Sequence, residues 1–265
     1  MKLELRGPAA GAAIDAIDAG DVDQLRQLLG AHPELTRAPV AETDEAYFAR
    51  PYLLWFVAEN PVRRDRLPVN IVEVARAIVA AAHGVTNLGE QLDYAVELVA
   101  SGRVAREHGV QLALIDALID EGASPEALNP ALAHRELAAI EKLLARGARL
   151  TLPVAMCTDR EAEALLAAAG PEERQLALIA AAMHGKAGAL ARLVPLVDVN
   201  AYGPAGFHPH ATALHQAVDS GSLEAVCVLV EAGAALNARD RIHQATPLGW
   251  AEHLQRQAIA AYLRG

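Results

Sequence analysis

Apolar positions along this chain recur at helical spacing, in short runs broken by glycine. The clearest case is the stretch 212–238. Leu214, Ala217 and Val218 make one apolar stripe over a first short helix, opened by Thr212, whose hydroxyl suits an N-cap. Ser220-Gly221 breaks that helix. Leu223, Val226, Cys227, Leu229 and Val230 predict a second helix, stopped at Gly233, a residue that tolerates the left-handed backbone of a helix end. Each helix is short and apolar on one side, so neither is stable alone in water. The unit needs neighbours of its own kind.

Those neighbours are present along the chain. A first unit covers 12–30 with its break at Gly20, and Asp15, Asp18, Gln24 and Arg26 supply the polar outer face that a terminal unit requires. His32-Pro33-Glu34-Leu35 ends it. In a second unit, Leu53-Leu54-Trp55-Phe56-Val57-Ala58 predicts the first helix. Ile71, Val74, Ala75, Ile78 and Val79 predict the other, with Asn70 as its cap. Between them lies an inserted loop, 61–68, whose Arg63, Arg64 and Arg66 form the most basic patch of the sequence and read as a solvated turn. A third unit runs from Tyr94 across a shorter insertion to Ile119 and closes at Gly122-Ala123-Ser124-Pro125. Two abbreviated units fill 126–175. The sixth begins at Leu176, and Pro195 in its second helix should shorten or kink that helix. A hairpin over 202–210 leads into the strong unit, and an eighth unit over 246–263 ends with polar Gln255, Arg256 and Gln257 suited to a cap.

Within this pattern, Thr212-Ala213-Leu214-His215-Gln216-Ala217, the break at Gly221 and the closing Gly233-Ala234-Ala235-Leu236-Asn237-Ala238 keep the spacing of the Thr-Pro-Leu-His-x-Ala repeat signature. Thr246-Pro247-Leu248-Gly249-Trp250-Ala251 keeps it again, about one 33-residue period later. The chain therefore resembles the ankyrin-repeat family, with Ala213 where proline is usual and Trp55 where the second unit would carry histidine. Early insertions and a degenerate middle also make it similar to a group of bacterial ankyrin proteins. The resemblance implies an all-α ankyrin-repeat solenoid of about 7–8 helix–turn–helix repeats forming one domain over 1–265. Its parts would be an N-terminal capping repeat (12–50), two repeats with inserted loops (51–125), degenerate repeats (126–175), and well-formed repeats with a C-terminal cap (176–265).

Composition sharpens this picture. The 265 residues are 53% hydrophobic but only 4% aromatic, and alanine fills much of the apolar share. Alanine favours helices and lets them approach closely. The formal net charge of −10 excludes a general nucleic-acid binder, which needs a basic footprint to displace counterions. Cys157 and Cys227 stand singly within apolar helical patterns and read as core thiols in a reducing compartment, not as a disulfide. The first residues resemble no secretory signal, and no apolar run approaches the roughly 20 residues needed to cross a bilayer. These features lead to an expectation of a cytoplasmic monomer with no membrane partner.

Catalytic patterns are missing. There is no Gly-x-Ser-x-Gly, phosphate-binding glycine loop or His-Glu-x-x-His. His134-Arg135-Glu136 lacks the Pro-Cys-x-x-Cys that would make it a zinc-deaminase motif, and Cys157 has no evident histidine partner. Histidines do cluster: His208, His210 and His215, then His243 and His253 one repeat on. Imidazoles suit zinc, but no thiolate or carboxylate completes a set, so no metal and no cofactor is expected. The ankyrin resemblance implies instead a concave groove lined by first helices and hairpin tips. On that basis the expected partner-binding residues are Tyr202, Phe207, His208 and His210 from one tip and Asp240, Arg241 and His243 from the next. Asp219, Ser220, Trp250 and His253 extend the set along the first helices. The expected function is a non-enzymatic module binding a partner protein. The alternatives are a small-molecule or metal-binding accessory using the histidine tips, and an enzyme with an unrecognised site in 126–175.

Overall fold

Short apolar runs become helices wherever a glycine or a polar cap can end them. The computed structural model describes residues 1–265, and its elements group into two units, Met1–Arg149 and Leu150–Gly265. The sequence reading treats 1–265 as one domain; the division falls inside 126–175, where the repeat pattern is thinnest.

The first unit contains α1 (Pro8–Ala19), α2 (Val22–Ala31), α3 (Glu34–Arg37), α4 (Ile71–Ala81), α5 (Leu88–Ala100), α6 (Arg103–Glu107), α7 (Gln111–Asp120), α8 (Leu128–Ala133) and α9 (Leu137–Ala145). Two rows form. Helices α2, α4, α7 and α9 pack in succession, while α1, the 3-10 segment Leu53–Ala58, α5 and α8 pack beside them. Each member of one row also touches its sequence partner in the other, as one-sided apolar helices require. A feature the helical pattern does not signal is a small antiparallel ribbon, β1 (Leu3–Leu5) with β2 (Ala41–Thr43), pairing Leu3 with Thr43.

Three local expectations are corrected. Residues 53–58 form 3-10 turns instead of an α-helix and end at Glu59 in a left-handed conformation, φ 48°. Pro61 comes soon after and has no N–H to continue a helix, so the chain has only six residues for this element and winds them tightly. Asn70 does not cap α4. Its Nδ2 donates to the Gly20 carbonyl at 2.9 Å, bridging the first two helix pairs within the first unit. Gly20 itself sits at φ 70°, and a Cβ there would lie 2.3 Å from Asn70 Oδ1, so both backbone and neighbour demand glycine.

The third correction concerns the basic loop. It is not a solvated turn. The Arg63 side chain is 10% exposed and pairs with Asp18 at 2.7 Å and with Glu59 at 3.0 Å; the Glu59 side chain is fully buried. The Glu59 carboxylate also accepts the backbone N–H groups of Arg63 (2.7 Å), Asp65 (3.1 Å) and Arg64. Arg64 pairs with Asp15 and Asp18. Only Arg66 of the three arginines shows no such partner, and it is exposed.

The second unit contains α10 (Leu152–Cys157), α11 (Glu163–Ala168), α12 (Pro171–Met183), α13 (Ala187–Leu193), α14 (Ala213–Ser220), α15 (Leu223–Glu231), α16 (Pro247–His253) and α17 (Gln257–Arg264). Helices α10, α12, α14 and α16 form one row and α13, α15 and α17 the other. Every residue of 177–183 in α12 is buried, and its three alanines at 180–182 let neighbouring helices close in. Helix α13 stops at Leu193 and passes into a 3-10 turn over Val194–Leu196, the shortening that Pro195 dictates. No helix is long and apolar enough to cross a membrane.

Candidate functional site

The site is built from the two signature segments of the second unit. The Thr212 hydroxyl meets His215 Nδ1 at 2.8 Å, and the Thr212 backbone N–H also points to Nδ1. Because a backbone N–H can only donate, Nδ1 is the acceptor, and the ring proton sits on Nε2. Nε2–H donates to the Ala245 carbonyl at 3.1 Å, tying α14 to the hairpin ahead of α16. Trp55, in the first unit, instead reaches into a neighbouring helix, its Nε1–H donating to the Gln91 carbonyl of α5 at 3.1 Å. Burial pushes the His215 pKa down, which keeps this ring neutral and the tautomer fixed.

Residues 239–245 are folded around one carboxylate. Asp240 is fully buried and accepts from the backbone of Ile242 (2.9 Å), His243 (2.6 Å) and Ala245 (3.0 Å) and from Trp250 Nε1–H (3.0 Å). Burial alone would raise its pKa. The N–H groups of His243, Trp250, Ala245 and Ile242 together outweigh burial and hold it far below the usual carboxylate range. Asp240 is therefore an internal anchor with no free face for a partner. Phe207, 3% exposed, is likewise internal. The hairpin over 202–210 is closed by a bridge between Tyr202 and Thr212. It is stitched to 239–245 by Tyr202 Oη donating to the Arg239 carbonyl (2.6 Å) and by the Arg241 N–H donating to the His210 carbonyl (2.8 Å). The Arg241 guanidinium lies 4.1 Å from the Tyr202 ring centre.

This framework aims aromatic and imidazole rings at one place. His210 stacks on Trp250 with centroids 6.2 Å apart, His208 lies 5.8 Å from His210, and His215 meets Trp250 edge-on at 5.2 Å. Trp250 also lines a cleft of about 480 Å³, together with Asp219, His243, Ala245, Gly249, His253 and Leu254. The structure thus brings together His208, His210, His243, Trp250, His253 and Asp219 of the expected set. Tyr202 and Arg241 spend themselves on each other and on the hairpins. Ser220 is spent in the helix break, its hydroxyl donating to the Ala217 carbonyl and accepting from Ser222 N–H. Ala245, Gly249 and Leu254 are not among the residues expected from the sequence. The spacing from Trp250 to Leu254, one helical turn on the same face, is a usable signal.

A profile of the ankyrin-repeat family, described as ankyrin repeats in three copies, matches residues 103–240, just over half of the chain. The chain belongs to the ankyrin-repeat family. No curated protein matches it. The matched residues include the degenerate stretch 126–175, so the family pattern extends across it. They stop short of Thr246, yet α16 and α17 pack on α14 and α15 in the same two rows. Thr246 caps α16 through Gly249 N–H at 3.2 Å, as an ankyrin signature threonine should.

Chemical alternatives fare differently within these repeats. Cys157 is 1% exposed, and burial pushes its thiol up to about 12, so it is not a ready nucleophile. No group of three or more His, Cys, Asp or Glu side chains is placed to hold a metal ion.

Proposed function

We propose that this ankyrin-repeat chain binds a partner protein through the cleft of its second unit, with Trp250 as the anchor. The observation that carries the reading is the cleft itself. It is lined by Trp250, whose indole N–H is held by Asp240 and whose ring lies against those of His210 and His215. His243, His253 and Asp219 line it as well. A fixed aromatic with polar neighbours is the usual make-up of an interface hot spot. Because hydrogen bonds and ring contacts already order these groups, binding loses little side-chain entropy. Phe207 and Asp240 support the surface from within; His208, His210, His243, Trp250, His253 and Asp219 present it. The volume also lies in the range of small-ligand pockets, which makes an apolar small molecule the second reading.

The test compares capture of proteins from native cell extract by the wild-type chain and by the His243→Ala/His253→Ala variant. Both histidines are exposed, so the variant should keep its melting temperature. The expected result is a protein retained by the wild type and lost, by about tenfold or more, from the variant. A retained protein that binds both equally contradicts the reading. Retention blocked by a dialysable extract component favours the small molecule.

A further inference from the structure

A second pocket, of about 280 Å³, lies in the first unit and is lined by Tyr47, Asn60, Tyr94, Glu97, Leu98, Ser101, Pro130 and His134. Its polar groups are organised unequally. Tyr94 Oη–H donates to the Tyr47 carbonyl, and Tyr47 Oη–H to Asn60 Oδ1 at 3.4 Å. Asn60 Nδ2 donates to the Leu98 carbonyl (3.0 Å) and to Ser101 Oγ (3.1 Å). Ser101 Oγ–H in turn donates to the Glu97 carbonyl at 2.8 Å. The hydroxyl and amide protons of these four side chains are thus spent inside the wall. What remains open is acceptor capacity: lone pairs on two phenol oxygens and the Glu97 carboxylate, which no hydrogen bond or ion pair engages.

Charge points the same way. No lysine or arginine lines the pocket; its one basic side chain is the imidazole of His134. Glu97 is half-buried, and burial, with the nearby Asp93 charge, pushes its pKa up. Its negative charge is therefore poorly solvated where it stands and gains from a counter-charge. Two tyrosine rings complete the wall, and Trp55 backs Tyr94 with centroids 4.5 Å apart. Aromatic rings with a carboxylate form a favourable environment for an organic cation. The volume is small even for a drug-sized ligand, so it suits the end of a side chain.

We propose that this pocket accepts the protonated lysine side chain of a basic segment on a protein partner, with Glu97 as counter-ion. An ammonium brings three donors on a flexible stem to the diverging acceptors of the two phenols and the carboxylate, and needs no planar fork. The pocket lies wholly within the first unit and shares no residue with the cleft of the second.

The test titrates the full chain at low salt with N-acetyl-lysine-N-methylamide, following backbone amide resonances of Glu97, Leu98 and Ser101 and the Asn60 side-chain amide. The norleucine analogue, equal in stem but uncharged, is the control. The expected result is saturable binding, on the order of millimolar for so small a probe, with shifts centred on those residues and none from norleucine. Glu97→Gln should weaken it about tenfold or more at unchanged or higher melting temperature, since it removes an underpaired half-buried charge. Tyr47→Leu, at a position already 47% exposed, should weaken it severalfold and serves if the first variant fails to fold. Equal shifts from norleucine, full affinity in Glu97→Gln or Tyr47→Leu, or no saturation at tens of millimolar overturns the proposal.

Discussion

At the scale of single residues, the groups that hold this protein together are few and differ in how visible they are. Asp240 gathers three backbone N–H donors of a short hairpin and the indole N–H of Trp250 in α16. Replacing it with asparagine leaves N–H groups facing an amide instead of a carboxylate, and hydrogen bonds to a charged group are worth about 1.5–3 kcal/mol. Asp240→Asn should therefore lower the unfolding free energy of the second unit by about 2–3 kcal/mol, read from Trp250 fluorescence in urea. Because the folded pKa lies below the ordinary value of 3.8, the wild-type advantage is complete above that value. It should shrink as pH falls below it. Arg63 gives a parallel case in the first unit. Arg63→Ala strands the buried Glu59 carboxylate and should cost about 3 kcal/mol or more, while exposed Arg66→Ala should change stability by no more than about 0.5 kcal/mol; chemical denaturation of both variants checks this. His215 is legible in the sequence because its neighbours spell a signature. Arg63 is not, because Asp18 lies 45 positions away and only the fold brings it near. Asp240 reads as a surface group in the sequence for a similar reason: its donors converge only once the hairpin closes.

At the scale of elements, helix pairs are legible wherever apolar spacing ends in a glycine. Gly221 closes α14 at φ 79°, and a Cβ there would sit 3.2 Å from the Arg256 guanidinium carbon. Gly221→Val places a β-branched residue in the left-handed region and should cost about 1–3 kcal/mol. The loss should appear as faster amide hydrogen exchange in α14 to α17; exchange equal to wild type there contradicts the alignment of this repeat. Elements shaped by the residues just beyond their ends are harder to read. The six residues 53–58 have the composition of a helix but are cut short before Pro61, and the β1–β2 ribbon involves two three-residue segments with no pattern long enough to register. The cleft is implicit in the repeat spacing, since hairpin tips one period apart must be neighbours. The lysine pocket is not, because its wall combines residues from 47 to 134.

At the scale of the molecule, two stacks of ankyrin helix pairs each bury thin, alanine-rich layers, and the second carries a cluster of imidazole rings. Burial pushes His210 and His215 below the ordinary 6.5, with the His208 and His243 charges adding to the effect at His210 and Asp240 opposing it at both. The fold thus favours neutral rings. Their contribution is fully present above pH 6.5 and is lost as pH falls through the lowered values. The melting temperature of the second unit should be flat above pH 7 and decline from about pH 6.5 downward; a constant value down to pH 5 contradicts this arrangement. The same cluster carries the functional claim. The most direct measurement is hydrogen–deuterium exchange of the chain alone and with its captured partner. The predicted result is new protection centred on 243–254 and around His210, with α13, α15 and α17 unchanged. Protection confined to those three outer helices, with none on the cleft, would contradict it.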